Sequence, residues 1–173
     1  SGQRLKTQIQ SKPPILMLFK GEVDRKKIDE DVDRLLNYYR GLGFFRARIG
    51  REMKFDEDMD WLTLTFVIDE GPRYKVRNVS IVGNNKIGTD ELLSKTKLKS
   101  GDFFDRETLK KDINQIEDAY GMIGYIFSAV EAEPRFLEEP GQLDMVYQIA
   151  EGDRYHIGRI DVVINGDNPR TKR

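Results

Sequence analysis

The sequence predicts an α+β chain built from tandem βααββ repeats, each a three-stranded mixed sheet with two helices on one face. Three observations predict it. First, Glu70-Gly71-Pro72-Arg73-Tyr74 recurs as Glu151-Gly152-Asp153-Arg154-Tyr155, 81 positions on. Second, the same interval carries Asp24 to Asp105, Arg25 to Arg106, Asp31 to Asp112, Tyr39 to Tyr120, Gly43 to Gly124, Leu62 to Leu143 and Ile68 to Ile149. Third, each interval holds strand-like and helix-like periodicities in the same order. A self-similar period of this kind is the signature of a repeat architecture. The boundaries that follow are 1–73 (a repeat lacking its first strand), 74–154 (a complete repeat) and 155–173 (the first strand of a following repeat).

The complete repeat opens with a β-rich run, Tyr74 to Val82, and a turn at Gly83-Asn84-Asn85. Thr89 is the expected N-cap of a short helix ending near Lys97, with Asp90 and Glu91 placed where acids suit the helix dipole. Ser100-Gly101-Asp102 reads as a turn. A second helix is expected from an N-cap at Asp105. Its apolar face is Leu109, Ile113, Ile116 and Tyr120, and Gly121 and Gly124 stop it. In the first repeat Ile28, Val32, Leu35, Leu36 and Tyr39 give the same face, ending at Gly41 and Gly43, with Asp24 as N-cap and Asp31 as a solvated helix position. Gly2 to Ile9 reads as the end of that repeat's first helix.

Two strands close each repeat. Leu62, Leu64, Phe66 and Ile68 alternate with Thr63, Thr65 and Val67, as Leu143, Met145, Tyr147 and Ile149 do with Asp144, Val146 and Gln148. Strict alternation means one buried face and one wet face. The strands before them are expected at about 44–51 and 125–133, with polar hairpin loops near 55–60 and 134–141. The last two strands then form an antiparallel hairpin, and the helical pair returns the chain so that the first strand joins the third in parallel. The strand after the second helix is left as a sheet edge.

Composition removes several classes of function. The net charge of −1 gives no field for nucleic acid or an anionic membrane, and Thr63, Thr65, Asp144 and Gln148 on the open sheet face offer no base-stacking aromatics. With no cysteine and one histidine, a zinc site is not expected. Asp56-Glu57-Asp58 lacks calcium-loop spacing. The glycine turns lack the phosphate-loop pattern. His156 has no nucleophile partner and reads as linker packing. No catalytic residue, cofactor or metal is expected. The longest apolar run, Ile15–Phe19, is far short of the roughly 20 residues of a membrane span. It reads either as a lid over the first core or as an exposed patch.

An edge strand offers unpaired backbone groups to any extended polypeptide. Alternation sends Phe45, Ala47, Ile49, Ile126, Ser128 and Val130 inward. It leaves Phe44, Arg46 and Arg48 in one repeat, and Tyr125, Phe127 and Ala129 in the other, as candidate polypeptide-binding positions. The alternatives are packing on a neighbouring repeat for the apolar set and edge protection by charge for the arginines. Glu70, Gly71, Arg73, Tyr74, Glu151, Gly152, Arg154 and Tyr155 mark inter-repeat junctions with almost no linker, which implies limited bending. The run from Tyr155 to Ile164 is an apolar strand without a core of its own. It is expected either to enter the sheet of a neighbouring molecule, head to tail, or to pack back on the second repeat.

Helix-ending Tyr-x-x-x-Gly-aromatic (Tyr39 to Gly43-Phe44, Tyr120 to Gly124-Tyr125), the closing Glu-Gly-x-Arg-Tyr, Val79-Ser-Ile-Val-Gly-Asn84 and the Gly101-Asp102-Phe103 turn together resemble polypeptide-transport-associated (POTRA) domains. These are the periplasmic repeats of outer-membrane β-barrel assembly factors of the BamA type. The resemblance implies a periplasmic array tethered to a C-terminal membrane β-barrel. It also implies unfolded outer-membrane proteins as clients and accessory lipoproteins as partners. A structural spacer in a two-partner secretion or related outer-membrane translocation protein is the alternative.

Overall fold

The computed structural model describes residues 25–57 and 62–163. The readings made for residues 2–9, Ile15–Phe19, Asp24, Asp58 and Ile164 lie outside the described residues.

The first repeat contributes helix α1 (Arg25–Gly41) and strands β1 (Arg48–Phe55) and β2 (Leu62–Asp69). The face of α1 that carries Ile28, Leu35 and Tyr39 is buried. β1 and β2 run antiparallel from Arg48 opposite Asp69 to Phe55 opposite Leu62. The second repeat follows as β3 (Lys75–Val82), α2 (Thr89–Lys95), α3 (Arg106–Met122), β4 (Ala129–Phe136) and β5 (Gln142–Ala150). Its sheet order is β3-β5-β4. β3 runs parallel to β5 and β4 antiparallel to it, the topology expected from the hairpin and the helical return. Leu143, Met145, Tyr147 and Ile149 of β5 meet Ile116 and Tyr120 of α3, Leu92 of α2 and Val76 of β3 in one core. β5 is central and covered on its helix side, so its alternating apolar row supplies the middle of that core.

Several elements depart from expectation, each for a physical reason. The strands after the long helices begin at Arg48 and Ala129, four residues later than expected. The residues before them are spent on a turn. Phe44 N–H donates to Tyr39 O and Ala47 N–H to Phe44 O, and Tyr125 to Tyr120 and Ser128 to Tyr125 do the same. This removes the strand alternation there, so Ile126, expected inward, is 60% exposed. β4 runs through Pro134 to Phe136, where the hairpin loop is expected.

The N-cap of α2 is Gly88 and not Thr89. Asn84 Nδ2 holds the Thr89 hydroxyl and the Ile87 carbonyl, at 3.0 and 2.9 Å, which fixes the turn without a capping side chain. Asp105 caps α3 as expected, accepting from Thr108 N–H. Asp31, expected as a solvated helix position, is fully buried, and so is its counterpart Asp112. The carboxylate of Asp112 accepts from Lys97 N–H, Leu98 N–H and Tyr147 Oη at 2.7, 2.9 and 3.1 Å. A buried charge persists only when it is bonded in this way. Here it ties the chain leaving α2 to α3 and β5.

The strand expected from Tyr155 is not formed at residues 155–163. In this topology an opening strand bonds to the closing strand of its own repeat, as β3 does to β5. Residues 155–163 have no such ladder, and Ile157, Ile160, Val162 and Val163 stand 75–83% exposed.

Candidate repeat junctions and sheet edges

At each junction the glycine that ends the long helix meets the tyrosine that opens the next repeat. Gly43 turns the chain out of α1 at φ 92°, and Gly124 turns it out of α3 at φ 94°, a region that favours glycine. Space enforces the choice as well. A Cβ on Gly43 would lie 3.0 Å from Phe104 O, and one on Gly124 would lie 2.9 Å from Tyr155 O. The carbonyl of each glycine accepts the N–H of the tyrosine that opens the next repeat: Tyr74 to Gly43 and Tyr155 to Gly124, both at 2.8 Å. The same bond therefore recurs 81 positions on.

Each junction also carries a tyrosine–glutamate pair. Burial and a hydrogen bond to Glu70 push the Tyr39 phenol up from its ordinary value. Burial and the bond to Glu151 do the same for Tyr120. Glu151 Oε1 accepts from Asn85 N–H, Lys86 N–H and Tyr120 Oη at 2.6, 2.7 and 2.8 Å. Desolvation alone would raise the Glu151 carboxyl, but these donors outweigh it and leave the group below the usual carboxylate range. Gly71 and Gly152 carry the chain past these acids at φ 63° and 67°.

The first junction is additionally locked by aromatics. Arg73 Nε donates to Leu42 O at 2.8 Å, and its guanidinium lies 4.4 Å from the centre of the Phe103 ring and 5.8 Å from that of Phe44. Phe45 leaves its own repeat and seats between Tyr74, Phe104 and Phe136, with ring centroids at 5.5, 4.9 and 4.9 Å. Alternation had sent Phe45 inward but could not say into which core. At the second junction Phe127 meets Tyr155 edge-on at 5.2 Å, and Arg154 lies beside Gly124. His156 is exposed.

The candidate edge residues fall mostly outside the strands. Phe44, Arg46, Tyr125 and Phe127 sit in the entry turns, and only Arg48 and Ala129 belong to strands, each as the first residue. The edge ladder lies further along. Leu137 N–H donates to Gln142 O, so the odd residues of β4 bond to β5, and the backbone groups of Val130, Ala132, Pro134 and Phe136 face outward. β1 has the same register 81 positions earlier and the same entry turn, which turns Ile49, Arg51, Met53 and Phe55 outward. Sequence reasoning missed these rows because they depend on which residue enters the ladder first. Among the described residues no group of His, Asp or Glu side chains is arranged to hold a metal, and no helix is long and apolar enough to cross a membrane.

The family model for POTRA, described as a surface antigen variable number repeat, matches residues 3–71 and again 74–152. The chain belongs to the POTRA family. Among curated POTRA proteins it is 25% identical over 146 residues to the outer membrane protein assembly factor BamA of Neisseria meningitidis serogroup B, covering 83% of this chain and 18% of that protein. It is 27% identical over 151 residues to BamA of Neorickettsia risticii, covering 86% of this chain and 20% of that one. The chain thus spans 18–20% of the length of these relatives. In fold it is similar to the crystal structure of Haemophilus influenzae BamA POTRA3-5 (TM-score 0.60, 23% identity, 89% of this chain and 62% of that one). It is also similar to POTRA1-3 of the periplasmic domain of Omp85 from Anabaena (TM-score 0.53, 18% identity, 87% and 54%).

Proposed function

We propose that these repeats serve an outer-membrane protein assembly machine as a chaperone-like module in the periplasm. They capture extended segments of unfolded outer-membrane proteins by strand addition. In the whole protein they dock accessory lipoproteins and are tethered to the membrane by a C-terminal β-barrel. The observation that carries this reading is the open sheet edges: among the described residues β1 and β2 of the first repeat and β3 and β4 of the second are each hydrogen-bonded on one side only. Recognition through main-chain hydrogen bonds demands little of side chains, which suits a factor with many clients. The BamA relatives are named for assembly of outer membrane proteins, which supports the same class. Tyr125, Phe127, Phe44 and Arg46 then flank the start of each edge, and Arg48 and Ala129 directly precede its first outward residues, Ile49 and Val130. The exposed run Ile157–Val163 is open to strand exchange with a neighbouring molecule.

The interlocked first junction favours a second reading, a spacer array in a two-partner secretion or related outer-membrane translocation protein, because Phe45, Arg73 and Tyr74 resist bending between repeats. A titration of the chain with peptides copied from outer-membrane β-strands, followed by amide chemical shifts, separates the two. Shifts confined to β1 or β4 are the expected result. No shift at millimolar peptide favours the spacer.

A further inference from the structure

The two junctions share their backbone bonds but not their contact residues. At the first, Gly41 and Phe45 receive the second repeat. Gly41 is the last residue of α1, and the side chain of Arg106, the first residue of α3, lies flat over it. A Cβ added at Gly41 would sit 3.8 Å from Arg106 Cβ and 3.9 Å from its Nε and Cζ. Phe45 fills the socket of Tyr74, Phe104 and Phe136, all from the second repeat. Arg46, beside Gly71, stays exposed. With these contacts in place Tyr74 is buried.

The interval of 81 puts Met122, Ile126 and Phe127 at the same three places after α3. Met122 stands where Gly41 lets Arg106 lie flat, so a side chain arriving as Arg106 does would be displaced. Ile126 has no ring and is shorter than phenylalanine, so it cannot fill an aromatic socket of that depth. Phe127 puts a ring in the place of the cation Arg46, and this ring meets the opening tyrosine. Phe127 and Tyr155 are edge-on at 5.2 Å, as Phe45 and Tyr74 are at 5.5 Å. The aromatic anchor has thus moved one residue along the turn. Met122, Ile126 and Phe127 are 86%, 60% and 69% exposed, an apolar patch larger than scattered surface residues make. The patch adjoins the bond from Tyr155 N–H to Gly124 O, the counterpart of the bond that ties the second repeat to the first.

We infer that Met122, Ile126 and Phe127 are the seat of a folded unit opened by Tyr155, and that this seat holds its unit at a different angle from the one between the first two repeats. Continuity identifies the occupant. At the first junction the same places are covered by the unit that Tyr74 opens, and Tyr155 makes the same backbone bond. That shared bond fixes only the pivot. The side chains around it decide which way the unit leans, because an interface between small domains is a rigid-body contact set by what packs there. Met122 pushes the unit away from the end of α3, and Phe127 draws it toward the start of β4. The inference is independent of strand addition.

The test moves the second set of residues into the first junction, where both repeats are present in the 173-residue chain. The triple variant Gly41→Met, Phe45→Ile, Arg46→Phe is compared with the parent and with Phe45→Ala by amide residual dipolar couplings. These read the orientation of the β1–β2 sheet against the β3-β5-β4 sheet. The parent should give one alignment shared by both sheets. The triple variant should again give alignments of equal strength, with the second repeat turned by roughly 15° or more, the scale of a rigid-body rotation about an interface. Phe45→Ala should give the unequal alignments of a loosened junction. If the triple variant does not fold, Gly41→Met decides alone. The helix end is open to a Cβ there, so the fold survives, and the second repeat should turn in the sense that lifts Arg106 from α1. A triple variant with the parent's orientation overturns the difference in angle, as do unchanged couplings in Gly41→Met. Unequal alignments like those of Phe45→Ala overturn the seat itself.

Discussion

Truncating Phe45 should uncouple the two repeats, and the interval of 81 supplies its own control. Phe45 is half-buried and touches three rings of the second repeat, at centroid distances of 4.9 to 5.5 Å in edge-on or tilted geometry. Aromatic pairs contribute about 0.5–1.5 kcal/mol each beyond area burial. Full burial of the ring would put Phe→Ala at about 3–5 kcal/mol, and partial exposure brings the expected cost of Phe45→Ala to about 2–3 kcal/mol. Ile126 holds the matching place after α3 but is 60% exposed, so Ile126→Ala should cost less than about 0.5 kcal/mol. Urea unfolding followed by resolved amide signals reads both variants. In the parent chain β1–β2 and β3–β5 should lose structure together. In Phe45→Ala the first repeat should melt at lower urea, with the second following separately, because repeat arrays are held by neighbour interfaces. Equal costs for Phe45→Ala and Ile126→Ala, or coincident melting in Phe45→Ala, would refute the coupling argument.

Three further outcomes are expected. Gly83→Ala should be among the most damaging single changes, about 3 kcal/mol or more, because the new Cβ would collide with Ile149 O at φ 84°, and thermal unfolding checks it. Asp112→Ala should cost about 3–5 kcal/mol by orphaning two backbone N–H groups and Tyr147 Oη, with loss of amide protection at Lys97 and Leu98 as its local signature. The folded Glu151 carboxyl lies below its ordinary value, so its contribution is present above the unfolded pKa and is lost as pH falls through the folded one. Glu151→Gln should flatten the acid limb of the stability–pH curve at a cost of about 1–2 kcal/mol, measured by urea midpoints at pH 7 and in acid.

Strand order and sheet topology were legible in the sequence because they rest on period. Leu143 to Ile149 alternate cleanly, the hairpin partner precedes them, and two helical segments dictate the parallel return of β3. The start of β1 and β4 was not legible. Phe44 to Ile49 reads equally well as strand throughout, and the boundary is set by a backbone bond to Tyr39 O that no side-chain pattern encodes. The burial of Asp31 is not legible because a carboxylate on a charged helix looks solvated, and the same holds for its counterpart Asp112. The donors that bury Asp112 come from Lys97, Leu98 and Tyr147, all more than ten residues away. Alternation reads Phe45 as an inward strand residue of the first repeat, but it lies in the entry turn, and its socket is assembled from Tyr74, Phe104 and Phe136 of the other repeat, which only tertiary packing brings together.

What the interval of 81 preserves and what it changes divides the molecule by role. The bonds that set the path of the chain recur: the glycine carbonyl to the opening tyrosine, the tyrosine–glutamate pair, and the register of the hairpin. The first and third are backbone constraints, and the second is a side-chain bond that ties the end of each long helix to the closing motif. The groups that face outward do not recur. Phe45 becomes Ile126, Met53 becomes Pro134, and Leu36 becomes Glu117. Such changes leave the fold untouched while altering what each edge can bond and what each turn can dock against.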